Sequence, residues 1–126
     1  MAIDLSHSRD WRALPALVPA PGGALTCKAD GDCQRIGLDE ARKLFRSGDV
    51  LVAHAAFVSG RLKAPSANAL FDVLEFFAFV RPAVPCVPSA LGLARALGLP
   101  PPVTQEDSAR SLREAALALF VLLDGI

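Results

Sequence analysis

The sequence holds few of the residues that cross-link small domains or bind metals. Only three cysteines and two histidines occur in 126 residues. Cys27 and Cys33 are close in the chain and Cys86 is distant, so the three do not form a closed disulfide framework. Neither the C-x-x-C nor the H-x-x-x-H spacing of a zinc site occurs. We therefore expect three reduced, mostly buried thiols, with no bound metal and no cofactor.

The chain also lacks an excess of charge of either sign. Thirteen basic residues balance thirteen acidic ones, which excludes binding to nucleic acid by phosphate neutralisation alone. Hydrophobic residues reach 52%, too many for an intrinsically disordered chain. The longest apolar run, Ala115–Leu123, is shorter than the about 20 residues that span a bilayer, and Met1–Arg12 lacks a signal-peptide apolar region. We expect a cytoplasmic protein with no membrane partner.

Local motifs for nucleotide binding and for nucleophilic catalysis are missing. The glycines match neither G-x-G-x-x-G nor a Walker sequence, and no G-x-S-x-G elbow occurs. Asp30-Gly31-Asp32 has too few acidic positions for a calcium loop and is typical of a hairpin turn. Cys-His catalysis would need a cysteine beside His54, and nothing in the sequence brings one there.

Turn signals divide the first third of the chain. After a lead-in over residues 1–12, with Trp11 as its anchor, a single domain occupies residues 13–126. Pro21-Gly22-Gly23 and Ala29–Asp32 separate three short apolar segments. These segments predict a three-stranded antiparallel meander over Leu14–Ala20, Ala24–Lys28 and Cys33–Ile36.

The rest of the chain alternates one strand with helices. The periodicity predicts helices over Asp39–Arg46, Ala56–Leu62, Leu70–Val80 and Ala90–Leu97, and a last helix that Thr104 and Asp107 open as a capping box. Val50–His54 is a continuous apolar run, as expected of a fully buried strand. This order of elements indicates an α/β or α+β fold.

Two groups of residues are candidates for binding. The densest basic grouping could contact a phosphate backbone, although a solvated face is the commoner role of such residues; it comprises Arg42, Lys43, Arg46, Arg61 and Lys63. The apolar helix carries Phe71, Phe76, Phe77 and Phe79, which form either core or a partner-docking surface. Phe76 and Phe79 fall off the main helical stripe, so we expect these two to be the most exposed.

Val50–Leu62 resembles the second motif of the DEDD-type 3′–5′ exonucleases, where a strand ends in Val-x-His-Asn and a helix carries Phe-Asp. The match places His54 on the motif's histidine, and a similar last helix makes Asp107 the remnant of the final metal-binding carboxylate. The resemblance implies a ribonuclease H-like fold, in which an antiparallel three-strand meander plus parallel strands are flanked by helices. The other acids are missing, with Ala55 and Val58 at two motif positions. One acid cannot hold two metal ions, so nuclease activity is not expected.

A second resemblance covers residues 13–124. Leu74-Glu75-Phe76-Phe77-Ala78-Phe79-Val80-Arg81-Pro82, preceded by Leu70-Phe71-Asp72, is similar to the N-terminal accessory domain of bacterial DinG-type DNA helicases, which are related to the XPD family. The helicase motifs themselves are absent.

This resemblance implies a pseudo-exonuclease domain with no catalytic residues. It would dock on the helicase motor, in cis or in trans, or guide single-stranded DNA, with a link to DNA repair. The alternatives are a free-standing module that binds nucleic acid or protein, and a residual metal-dependent nuclease around His54 and Asp107.

Overall fold

The computed structural model describes residues 11–66 and 70–125. Most of the predicted lead-in, residues 1–10, lies outside them. Trp11–Ala13 form a short 3₁₀ helix. The indole of Trp11 is 8% exposed, and its ring centroid lies 4.5 Å from that of Phe71. Trp11 is therefore the anchor that the sequence predicted.

A five-stranded mixed sheet forms the centre of the protein. Its strands are β1 (Ala16–Ala20), β2 (Gly23–Cys27), β3 (Cys33–Gly37), β4 (Leu51–Val52) and β5 (Phe71–Asp72). They lie in the spatial order β3-β2-β1-β4-β5. The first three form an antiparallel meander, whereas β4 is parallel to β1 and β5 is parallel to β4. The α/β class, the mixed sheet and the opening meander are confirmed.

Helices cover both faces of this sheet. α1 (Leu38–Ser47) and α2 (Ala55–Leu62) pack on one face, and α3 (Val73–Val80), α4 (Ala90–Ala96) and α5 (Ser108–Asp124) pack on the other. In β4 the side chains alternate, so Val52 joins the core under α1 and α2 while Leu51 joins the core under α5. Among the described residues, no helix is long and apolar enough to cross a membrane.

The predicted helix over Leu70–Val80 is wrong at its start. Phe71 and Asp72 pair with β4 as the edge strand β5, and the helix begins at Val73. The reason is local, because the Asp72 side chain accepts a hydrogen bond from the Leu74 N–H and so caps the helix. The apolar pattern alone could not show this change from strand to helix.

Caps define the beginnings of α4 and α5. The Ser89 hydroxyl accepts from the Gly92 N–H at 3.0 Å, as the sequence suggested for the α4 cap. Thr104 and Asp107 form the predicted capping box around a 3₁₀ turn, Gln105–Asp107, and α5 follows at Ser108. Both signals were therefore located correctly.

The expectation of three reduced thiols is wrong for two of them. Cys27 and Cys33 face each other in the β2–β3 register, with Cα atoms 4.0 Å apart, and their sulfurs are joined as a disulfide. The neighbouring pair is hydrogen-bonded from the Lys28 N–H to the Asp32 carbonyl, so the cysteines occupy a non-hydrogen-bonded pair, where side chains lie closest. Cys86 is a free cysteine.

Candidate functional site

The carboxylate of Asp72 organises the end of the parallel strands. It is 8% exposed and accepts three backbone hydrogen bonds. Oδ1 accepts from the His54 N–H at 2.9 Å and from the Leu74 N–H at 3.0 Å, and Oδ2 accepts from the Ala55 N–H at 2.7 Å. One side chain thus joins the start of α2 to the start of α3. No pattern in the sequence indicated that Asp72 is structurally important.

His54 lies at the turn from β4 into α2. Its backbone is left-handed, with φ 65° and ψ 75°, a conformation that is uncommon for residues other than glycine. Two backbone bonds hold it there, because Asp72 accepts from its N–H and its carbonyl accepts from the Val58 N–H. The predicted strand over Val50–His54 therefore ends early, at Val52.

An aromatic and cationic stack begins at His54 and continues along α2. The imidazole and the Phe57 ring are stacked, with centroids 6.1 Å apart and an interplanar angle of 18°. The Arg61 guanidinium lies 5.9 Å from the Phe57 centroid, within cation–π range. Phe57 is 49% exposed, so its ring is open to a ligand. In the sequence, one signal pointed to this stack, the i, i+4 spacing of Phe57 and Arg61.

The structure brings together only part of the predicted basic group. The Arg42 Nε donates to the Leu62 carbonyl at 2.7 Å, which joins α1 to the end of α2. Arg46, one turn further along α1, and the exposed Arg61 and Lys63 lie near this junction.

Lys43 belongs to a different surface. It lines a hollow of about 400 Å³ between α1 and the sheet, together with Lys28 of the hairpin. Lys43 therefore lies apart from the junction of Arg42 with Leu62, and Arg61 is the predicted basic residue that contacts the aromatic stack.

The expected exposure of Phe76 is wrong. Phe71, Phe76 and Phe77 are each at most 3% exposed and lie in the core under α5. Phe76 meets the Phe120 ring at a centroid distance of 4.9 Å, because α5 covers the side of α3 on which Phe76 lies. These three side chains belong to the core of the domain. Phe79, at 57% exposure, is the member of the group that reaches solvent.

The two exonuclease-site remnants are attached to different parts of the sheet. His54 follows β4. The Asp107 carboxylate accepts from the Thr104 N–H and hydroxyl in the cap before α5. The first turn of α5 packs on β2, because Ala109 and Cys27 lie in one buried cluster. β1 lies between these two strands. In the described ranges, 11–66 and 70–125, no three His, Cys, Asp or Glu side chains are grouped so that they could hold a metal ion.

Glu75, in the first turn of α3, makes the stability of the fold depend on pH. Burial raises the pKa of Glu75 above its ordinary value of 4.5, and the neighbouring Asp72 charge adds to this. The folded protein therefore keeps the proton to a higher pH than the unfolded chain, and stability falls as the pH rises from 4.5 through the folded-state pKa.

We expect Glu75→Gln to raise the melting temperature at neutral pH, because it removes a carboxylate whose ionisation opposes folding. The difference in melting temperature between Glu75→Gln and the parent protein should shrink as the pH falls below 4.5. Thermal unfolding followed by circular dichroism across this range measures it, with Glu114→Gln on the exposed side of α5 as the control. A difference that grows on acidification would contradict the assignment.

Comparison of the chain with protein-family models, with curated proteins and with solved structures gave no match.

Proposed function

We propose that this chain is a non-catalytic accessory domain of a DinG-type DNA helicase, and that it guides a single DNA strand. The proposal includes a degenerate ribonuclease H-like fold. The sheet supports this, since an antiparallel meander is joined to parallel strands and helices flank both faces. The motif that resembles these helicases, Leu74–Pro82, begins in α3 and ends just after it.

The hydrogen bonding of the acidic side chains supports a non-catalytic role. Asp72 accepts three backbone N–H groups, and Asp107 accepts from Thr104 in the α5 cap. A pair of catalytic metal ions needs several carboxylates directed at one point. Val58 stands where the exonuclease motif has an aspartate, and it is 1% exposed within the core.

The observation that carries the proposal is the open ring of Phe57 beside cationic groups. Proteins that bind single strands combine aromatic platforms, on which bases stack, with basic side chains that follow the phosphates. Here His54 supports one face of Phe57, and Arg61 lies close enough for a cation–π contact. Arg46 in the last turn of α1 and Lys63 directly after α2 are further exposed cations. A neutral chain with so few cations should bind weakly, and its few phosphate contacts should give the affinity a shallow salt dependence.

Phe57→Ala is expected to weaken the binding of a fluorescein-labelled oligothymidylate about 5- to 30-fold at low salt. This corresponds to the loss of about 1–2 kcal/mol for one stacked base. Fluorescence anisotropy titration measures the affinity. Phe79→Ala is the matched control, because it removes a phenyl ring of similar exposure from a different helix. Equal affinities for the parent protein and Phe57→Ala would contradict strand guiding.

Docking on the helicase motor is the second candidate, and a separate surface favours it. Phe79, Val84, Val87 and Leu91 are exposed around the end of α3 and the start of α4. Exposed apolar side chains grouped in one region mark interaction surfaces. The same two variants separate the candidates: docking on a purified motor domain should be weakened by Phe79→Ala and unchanged by Phe57→Ala. Docking that Phe79→Ala leaves unchanged would contradict a role for this surface.

A further inference from the structure

The two joined cysteines differ in their access to solvent. Cys27 is 2% exposed and packs in a small cluster with Leu25 and Ala109. Cys33 is only partly buried and lies on β3, the edge strand of the described sheet. A thiolate from solution can therefore reach the sulfur of Cys33 while that of Cys27 stays covered. Which of the two sulfurs a thiolate attacks in thiol–disulfide exchange depends on such access.

The hairpin that carries these cysteines is closed without them. The Lys28 N–H donates to the Asp32 carbonyl and the Gly31 N–H donates to the Lys28 carbonyl, both at 2.9 Å. Gly31, at φ 90°, supplies the left-handed residue that this turn needs. The middle of β3 is also held from outside, because Arg35, opposite Leu25, pairs with Glu106 at 2.9 Å. The strands thus keep their register when the sulfurs separate.

From this asymmetry we propose that Cys27–Cys33 is a site of reversible thiol–disulfide exchange with small thiols of the glutathione class, entered through Cys33. A glutathione thiolate attacks Sγ of Cys33, the bond between the two protein sulfurs breaks, and Cys27 leaves as a thiolate that takes up a proton. A second glutathione thiolate then attacks the glutathione sulfur of the mixed disulfide. Glutathione disulfide is released, and Cys33 is left as a thiol.

The test uses the folded protein in a Cys86→Ser background, so that no third thiol contributes. Cys27→Ser leaves only Cys33, and we expect intact-mass spectrometry to show one glutathione adduct after incubation with glutathione disulfide. Cys33→Ser leaves only Cys27, and we expect the folded protein to stay unmodified until guanidinium exposes the thiol. Adducts formed equally fast on both variants would overturn entry through Cys33.

A second measurement keeps both cysteines and so avoids any effect of substitution on folding. The oxidised protein is incubated with excess reduced glutathione without denaturant, and the thiols are then alkylated and counted by mass. We expect both thiols to be labelled, and the disulfide to form again when glutathione disulfide is added. A disulfide reduced only in guanidinium would show a purely structural bond and overturn the proposal, as would thiols that never pair in excess glutathione disulfide.

Discussion

Asp72→Ala is expected to lower the free energy of unfolding by about 3–5 kcal/mol, since a buried donor left without its partner costs about 1–3 kcal/mol. Three backbone N–H groups, those of His54, Ala55 and Leu74, lose their acceptor. The left-handed turn at His54 also loses the contact that holds it. Urea denaturation followed by circular dichroism measures the change.

Asp72→Asn tests whether the hydrogen bonds carry the effect. The amide oxygen can replace Oδ1 and keep the bonds from His54 and Leu74, but its NH₂ group then faces the Ala55 N–H. We expect Asp72→Asn to lower the free energy of unfolding, but by less than Asp72→Ala does. Asp39→Asn is the control: its fully exposed side chain lies 3.6 Å from Arg42, and such surface pairs contribute about 0–1 kcal/mol. Equal losses for Asp39→Asn and Asp72→Ala would contradict this role.

Much of the fold followed from turn chemistry and caps in the sequence. Pro21-Gly22-Gly23 and Asp30-Gly31 separate strands that pair as expected, and Ser89 and Thr104 stand where caps form. The short strand β5 was missed because two residues are too few to show a periodicity of two against an apolar helix. The disulfide was missed because pairing of Cys27 with Cys33 depends on the register of two strands, which the spacing of cysteines does not determine.

The candidate site was less accessible to sequence reasoning. Helical periodicity gives one apolar stripe, but α3 lies between the sheet and α5, so Phe76 off that stripe is buried as well. Phe57 shows the opposite case, an aromatic residue whose exposure depends on what α2 packs against. Asp72 accepts a hydrogen bond from the backbone of His54, 18 positions away. Every residue but proline has such a backbone N–H, so the sequence carries no signal for this bond.

Gly92→Ala is expected to destabilise the protein by about 2–4 kcal/mol, because the site has no free space for a methyl group and the backbone would have to shift to admit one. A Cβ at this position would lie 2.1 Å from the Val87 carbonyl oxygen and 2.7 Å from the Val87 Cβ. The carbonyl cannot move aside freely, since it accepts from the Ser89 N–H at 2.8 Å, and Ser89 in turn caps α4. Denaturant unfolding measures the loss.

Gly60→Ala is the control, and we expect it to change the stability in the opposite direction. Gly60 lies within α2, and a Cβ there would meet nothing within 4 Å. Alanine should therefore stabilise the protein by about 0.5–1 kcal/mol, the usual difference from glycine inside a helix. If both variants were stabilised, helix propensity would outweigh the contact at Val87. If Gly92→Ala alone destabilises, the close approach of the Val87 backbone determines the position of α4. It then also positions Val87 and Leu91, two exposed residues of the proposed docking surface.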